Sequence, residues 1–141
     1  MRLIWIIFNT SVFLFLSGLH FYWLKENPHS VFAVLPETDE GEHLFKPGIV
    51  ATSIVAMGLL IFALITAGQT GIYQDWLDTK LIQYGTLGIA VVFALRTVGD
   101  FKYVGIFKTV RKTLFAINDT RYFVPLCAIL SGGSFYLYFS N

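Results

Sequence analysis

RTVGDFKYVGIFKTVRKTLFAINDTRYFVP, residues Arg96 to Pro125, holds six of the chain's ten Lys and Arg residues and lies between two apolar windows. Placed at about 100° per residue, its central part separates into two faces. Tyr103, Ile106, Phe107, Val110, Leu114 and Ile117 fall on one side. Lys102, Lys108, Arg111 and Lys112 fall on the other, with Thr109 and Thr113. The pattern predicts an amphipathic helix over about 102–117, lying in a membrane interface with its basic face toward anionic lipid headgroups. The competing reading is a solvated helix that packs its apolar face on the neighbouring segments. Nucleic-acid binding is a poor fit to this charge, because the apolar face would have nothing to cover it.

The rest of the chain reads as the frame for this stretch. Of 141 residues, 55% are hydrophobic and only 13% are charged, about half the charged share of an ordinary soluble domain. The charges leave four long windows and collect between them. Those windows, at about 3–24, 48–71, 81–98 and 122–139, are each long enough to cross the roughly 30 Å hydrocarbon layer as a helix. The first is too long for a signal peptide and has no Ala-x-Ala-like site after it, so it reads as a retained span. Trp5, Tyr22 and Trp23 stand where interfacial anchors stand. Pro47 sits at the expected start of the second span. Asn118, Asp119 and Thr120 are candidate N-caps of the fourth, and Pro125 fits its first turns or kinks it mildly. Ala63, Ala67, Gly68, Gly85 and Gly88 are candidates for close helix approach, as is the pair Gly132 and Gly133. The fold class expected is all-α: one polytopic membrane domain over 1–141, a four-helix transmembrane bundle with an amphipathic interfacial helix between spans 3 and 4.

With four spans, connectivity puts the acidic 25–46 loop and the basic stretch on one side of the membrane. Both termini and the short Gln74–Lys80 connection lie on the other. The first side carries Lys25, Lys46 and the six cations of the basic stretch; the second has only Arg2 and Lys80. Cytoplasmic loops collect Lys and Arg, so both long loops are expected in the cytoplasm and the termini outside, in the cytoplasmic (inner) membrane of a cell.

Four ionisable residues flank the basic stretch: Arg96, Asp100, Asp119 and Arg121. Two acids and two bases cancel, and charge at membrane depth is costly unless paired. They are expected to form one compensated cluster joining the end of span 3 to the start of span 4, with His20 close by. The plain alternative is that they pin helix ends. Haem is excluded as a bis-histidine site, because only His20 lies in a span and His29 and His43 fall in a loop. The three histidines have no metal-ligand spacing. No span holds an acidic residue of the kind a proton-coupled exporter uses. No nucleophile–base pair and no phosphate-binding glycine loop is present. Cys127 reads as a small apolar packing residue. No cofactor is expected.

Two classes of function follow. The first is a non-enzymatic membrane protein that contacts anionic lipid, or an accessory subunit, alone, as a homo-oligomer or within a larger complex. The second is an enzyme or transporter acting on an amphiphile at the cytoplasmic interface. There His20 would serve as acid or base, and Arg96 and Arg121, beside Asp100 and Asp119, would hold an anionic headgroup. The first is preferred, since no catalytic set is assembled in the sequence.

The same stretch carries a family resemblance. Arg96, Gly99, Asp100, Phe101, Tyr103, Val104 and Gly105 are followed by Phe107-Lys108, by Phe115-Ala116, and by Asp119-Thr120-Arg121-Tyr122 before Pro125-Leu126-Cys127. This run closely resembles the pattern of a family of small bacterial membrane proteins known only as a domain of unknown function. His20 and Trp23 resemble its pair at the end of the first span. Leu24 and Lys25 stand where that family has two small residues. The resemblance extends over essentially the whole chain and implies a four-span bacterial protein, with no activity attached.

Overall fold

Backbone in hydrocarbon has no water to bond, so a charge-free segment of spanning length must close its own hydrogen bonds as a helix. The computed structural model, which describes residues 1–25, 35, 36, 38, 40, 42–44 and 48–140, follows that rule. The helices are α1 (Arg2–Trp23), α2 (Ile49–Gly68), α3 (Thr79–Val98), the short α4 (Leu114–Asn118) and α5 (Val124–Phe139), with one π turn at Asp119–Phe123 between the last two. Among the described residues, four helical segments are long and apolar enough to cross a membrane, the fourth running continuously from Leu114 to Phe139. No described residue lies in a strand. The protein is an all-helical, multi-pass membrane protein built as a four-helix bundle. Glu26, Pro28, His29, Glu37, Asp39, Lys46 and Pro47 of the acidic loop lie outside the described residues.

The bundle is two antiparallel pairs, α1 on α2 and α3 on α5, joined through a common core. Phe13, Leu59, Ala63, Ile89, Phe93, Cys127 and Leu130 meet there, one or two from each of the four helices. The Phe13 ring lies 5.3 Å from that of Phe93 and 5.9 Å from that of Phe62. Since lipid is as apolar as leucine, such helices associate through packing and hydrogen bonds rather than by leaving water. Both are visible. Gly133 lets the Trp5 ring lie where a Cβ would be, whereas its neighbour Gly132 faces open space. Gly68 lies against Ile82, and Gly85 against Ile65, while Gly88 meets nothing. Buried Asn9 donates to the Ser134 hydroxyl at 3.1 Å, Ser17 to the Ala56 carbonyl at 2.8 Å, and Ser131 to the Ala90 carbonyl at 2.8 Å. Cys127 is buried in this core, as a packing residue.

The two ends of the bundle differ. At the end holding the N-terminus, Arg2 donates to Gln69, and Gln69 donates to Thr86, tying α1, α2 and α3 together. Asp78 caps α3 there by accepting from the Lys80 N–H. At the other end, Arg96 closes α3 and meets Asp119 in the fourth segment.

Two expectations change. The helix expected over about 102–117 forms only from Leu114; residues 99–113 are bends and turns. Gly105, in the first third of that window, holds φ +90° and Phe101, just before it, holds φ 64°, neither of which is α-helical. The fourth span therefore starts at Leu114 rather than near Tyr122. Its cap is Thr113, whose hydroxyl accepts from the Ala116 N–H at 3.1 Å, and not Asn118, Asp119 or Thr120.

Pro125 explains the π turn. Proline has no N–H, and its ring clashes with the carbonyl four residues back. One wide turn absorbs this: the Val124 N–H bonds to the Asp119 carbonyl, five residues back. Wide turns of this kind insert one extra residue into an α-helix. Here the extra residue sets the phase. Val124, Cys127, Ser131 and Ser134 follow the buried stripe at helical spacing, and Asp119, five residues before Val124, is buried in line with them.

Candidate functional site

The site is the joint between α3 and the fourth span, and a loop that turns back on its own helix builds it. Gly99 ends α3 with φ +85°, its N–H bonded to the Leu95 carbonyl at 2.8 Å. Asp100 follows, and one carboxylate oxygen accepts the N–H groups of Lys102, Tyr103 and Val104 at 2.9, 2.7 and 2.9 Å. Aspartate competes for local backbone donors in this way, which is why it favours turns over helix interiors. Slight burial pushes the Asp100 carboxyl up, but the N–H groups of Val104, Tyr103 and Lys102 outweigh it and hold the group below its ordinary 3.8. Gly105 then passes against Gly99: a Cβ on Gly99 would strike the Val104 carbonyl, and one on Gly105 the Val98 carbonyl. Only glycine permits this crossing, at positive φ and at that separation. The Ile106 N–H closes the loop on the Thr97 carbonyl at 2.9 Å.

The crossing aims Lys108 inward. Its side chain is 2% exposed, and Asp119 is fully buried. The Asp119 carboxylate accepts from Arg96 Nη2 at 2.7 Å on one oxygen. Its other oxygen accepts from Lys108 Nζ at 2.9 Å and from the Gly105 N–H at 2.9 Å. Lys108 Nζ further donates to the Thr120 hydroxyl at 2.6 Å and the Gly105 carbonyl at 3.1 Å. All three ammonium protons thus have acceptors, and both carboxylate oxygens have donors. Burial of ions is tolerated only when they are paired in this way; the one buried nitrogen of the cluster without a partner among the described residues is Arg96 Nη1. The cluster bridges three segments: the end of α3, the loop and the π turn.

The expected residues divide accordingly. Arg96 and Asp119 are brought together. Asp100 is committed to its own loop, and Arg121 is exposed, with its guanidinium 5.5 Å from the Tyr122 ring. Neither has an ion pair among the described residues. His20 Nδ1 lies 2.8 Å from the Leu16 carbonyl and its ring meets that of Trp23 at 4.9 Å, both on its own helix. Lys108, expected at lipid headgroups, is instead the second cation of the cluster. Lys102, Arg111 and Lys112 are exposed. Among the described residues, no His, Cys, Asp and Glu group is placed to hold a metal.

The missed residues are Lys108, Thr120 and Gly105. A wheel puts Lys108 with the other cations, because it assumes one helix throughout. Gly105, inside the proposed helix, was the available signal that the helix breaks.

Every member of this cluster lies within residues 13–134, the part of the chain that a single family model matches. The chain belongs to the family described as Protein of unknown function (DUF3995). No curated protein and no solved structure matches it. A carboxylate that has spent both oxygens on three donors is not disposed to take a proton from a substrate. The arrangement fastens the loop to the bundle.

Proposed function

We propose that the protein is a non-enzymatic component of the bacterial inner membrane whose basic loop contacts anionic lipid, acting alone, as a homo-oligomer or as an accessory subunit of a larger complex. The observation that carries this is the closure of the cluster: Asp119 is fully buried and saturated by Arg96, Lys108 and Gly105. Its chemistry is spent on holding the loop in place. What the loop then offers outward is charge: Lys102, Arg111 and Lys112 are exposed in it, and Arg121 is exposed in the π turn of the fourth span. Each cation near an anionic leaflet contributes roughly 1 kcal/mol. The excess of Lys and Arg on this side supports a cytoplasmic loop with both termini outside.

Native mass spectrometry of the protein released from mixed bilayers tests the reading. Bound anionic lipid should outnumber zwitterionic lipid, and changing Lys102, Arg111, Lys112 and Arg121 together to Gln should abolish that preference without moving the melting temperature. Equal retention of both lipid classes by the unaltered protein would overturn the proposal. A co-purifying soluble metabolite released only by changes at Arg96 or His20 would replace it with the transporter or enzyme reading.

A further inference from the structure

The loop between α3 and α4 is inside out for a loop in water. Lys108 is 2% exposed, while the adjacent Phe107 is 58% exposed and Phe101 is 61% exposed. In water the preference runs the other way: lysine is almost never fully buried and phenylalanine usually is. The two rings are also organised. They stack with centroids 6.1 Å apart and planes at 30°. Ile106, 52% exposed, sits beside Phe107 in the chain. Phe101 reaches this position with φ 64°, a conformation costly for a bulky side chain. Backbone held in such a state by its surroundings points to a use for the group it displays. Here the surroundings are the three N–H bonds to Asp100 and the Gly99–Gly105 crossing.

The placement names the partner. The loop leaves α3 at Val98 and re-enters helix at Leu114, and both flanking helices are of membrane-crossing length and composition. Its exposed rings are therefore held at the level where the spans leave hydrocarbon. Lys102, Arg111 and Lys112 are exposed in the same loop. Aromatic rings with cations beside them match the boundary between acyl chains and headgroups. We infer that Phe101 and Phe107, flanked by Ile106, form a two-ring wedge that inserts into the headgroup–acyl boundary of the leaflet on that side. The inference shares with the proposed function only the placement of the loop against a leaflet. It needs no preference for anionic lipid.

An environment-sensitive fluorophore on Phe107→Cys, in a Cys127→Ala background and in liposomes, tests it. The expected result is blue-shifted emission, quenched several-fold more by a nitroxide on the upper acyl chain than by aqueous iodide. A label on Lys112→Cys should show the reverse order. Stronger quenching by iodide at position 107 would overturn the wedge. So would shielding from both quenchers that varies with the protein-to-lipid ratio, which would mark a protein contact. Should the Cys127→Ala background fail to fold, carbene footprinting of the unaltered protein in the same liposomes replaces it. A lipid-partitioned precursor should label the Phe101–Phe107 peptide and a water-soluble one should not; the opposite pattern overturns the inference. Equal retention of anionic and zwitterionic lipid by the unaltered protein, with position 107 still quenched from the acyl chain, would count against the proposed function alone.

Discussion

Replacing Asp119 by Asn keeps the shape of the side chain and removes its charge, so it isolates what the carboxylate does. In the native cluster the two oxygens accept from Arg96, Lys108 and Gly105 at 2.7, 2.9 and 2.9 Å. Asparagine has one oxygen to offer and puts an NH2 group where the second was. In either orientation of the amide a donor then faces a cation, Arg96 or the Lys108 ammonium, and Lys108 is only 2% exposed. Removing one partner of a buried ion pair costs about 3–5 kcal/mol, mostly through the charge left behind. For a chain of this size 1 kcal/mol moves the melting temperature by about 2–4 °C, so Asp119→Asn should lower it by on the order of 10 °C in detergent. Lys108→Met removes the stranded charge. The double variant should therefore melt above the sum of the two single losses, by a coupling of about 0.5–3 kcal/mol. The assay is a four-member thermal unfolding cycle in one detergent. Additive losses, or an Asp119→Asn change below about 1 °C, would refute the claim that the charges depend on each other.

Three further changes probe the parts around this cluster. Gly133→Ala should lower the melting temperature, because its Cβ meets the Trp5 ring, while Gly132→Ala, which meets nothing, should not; equal effects would contradict the α1–α5 contact. Asp100 has its carboxyl held below 3.8, so its contribution is present above that value and is lost as pH falls through the lowered one; protection of the Lys102–Val104 amides, relative to their intrinsic exchange at each pH, should fall only in that acid range in the native protein, and at all pH values in Asp100→Ala. Deleting Tyr122 removes the extra residue of the π turn and should rotate Asp119 by about 100° relative to α5; adding Asp119→Asn to the deletion should then cost little more, and a full further loss would show that phase is not what places the carboxylate.

Most of the bundle was legible because the membrane imposes a length and a charge rule on every span, and both are written directly in the residues. Windows poor in charge became α1, α2, α3 and α5, with Arg96 in the last turn of α3, and Gly133 proved to be a close approach as its mid-span position suggested. The start of the fourth span was not legible by that rule. Asp119 is a charged residue, yet it is inside the long helical segment from Leu114 to Phe139. Charge marks the edge of a span only when nothing neutralises it, and Arg96 and Lys108 do so here.

The basic stretch failed as a helix for a related reason. A wheel assigns each residue a direction from a constant turn angle, and this stretch breaks that constancy twice. Between Gly99 and Gly105 the chain folds back on itself, at φ +85° and +90°. Between Asp119 and Val124 it inserts a residue beside Pro125. The first break reverses what the wheel says about two side chains. Lys108 leaves the basic face and becomes the most buried cation among the described residues, while Phe107 leaves the inward face and points out at 58% exposure. Both breaks also carry marks that composition alone hides: a glycine inside the supposed helix, and a proline six residues after the acid it keeps in phase. The cluster exists because the two irregularities act together. The glycine crossing brings the Gly105 N–H and Lys108 to the joint, and the π turn brings Asp119 round to meet them.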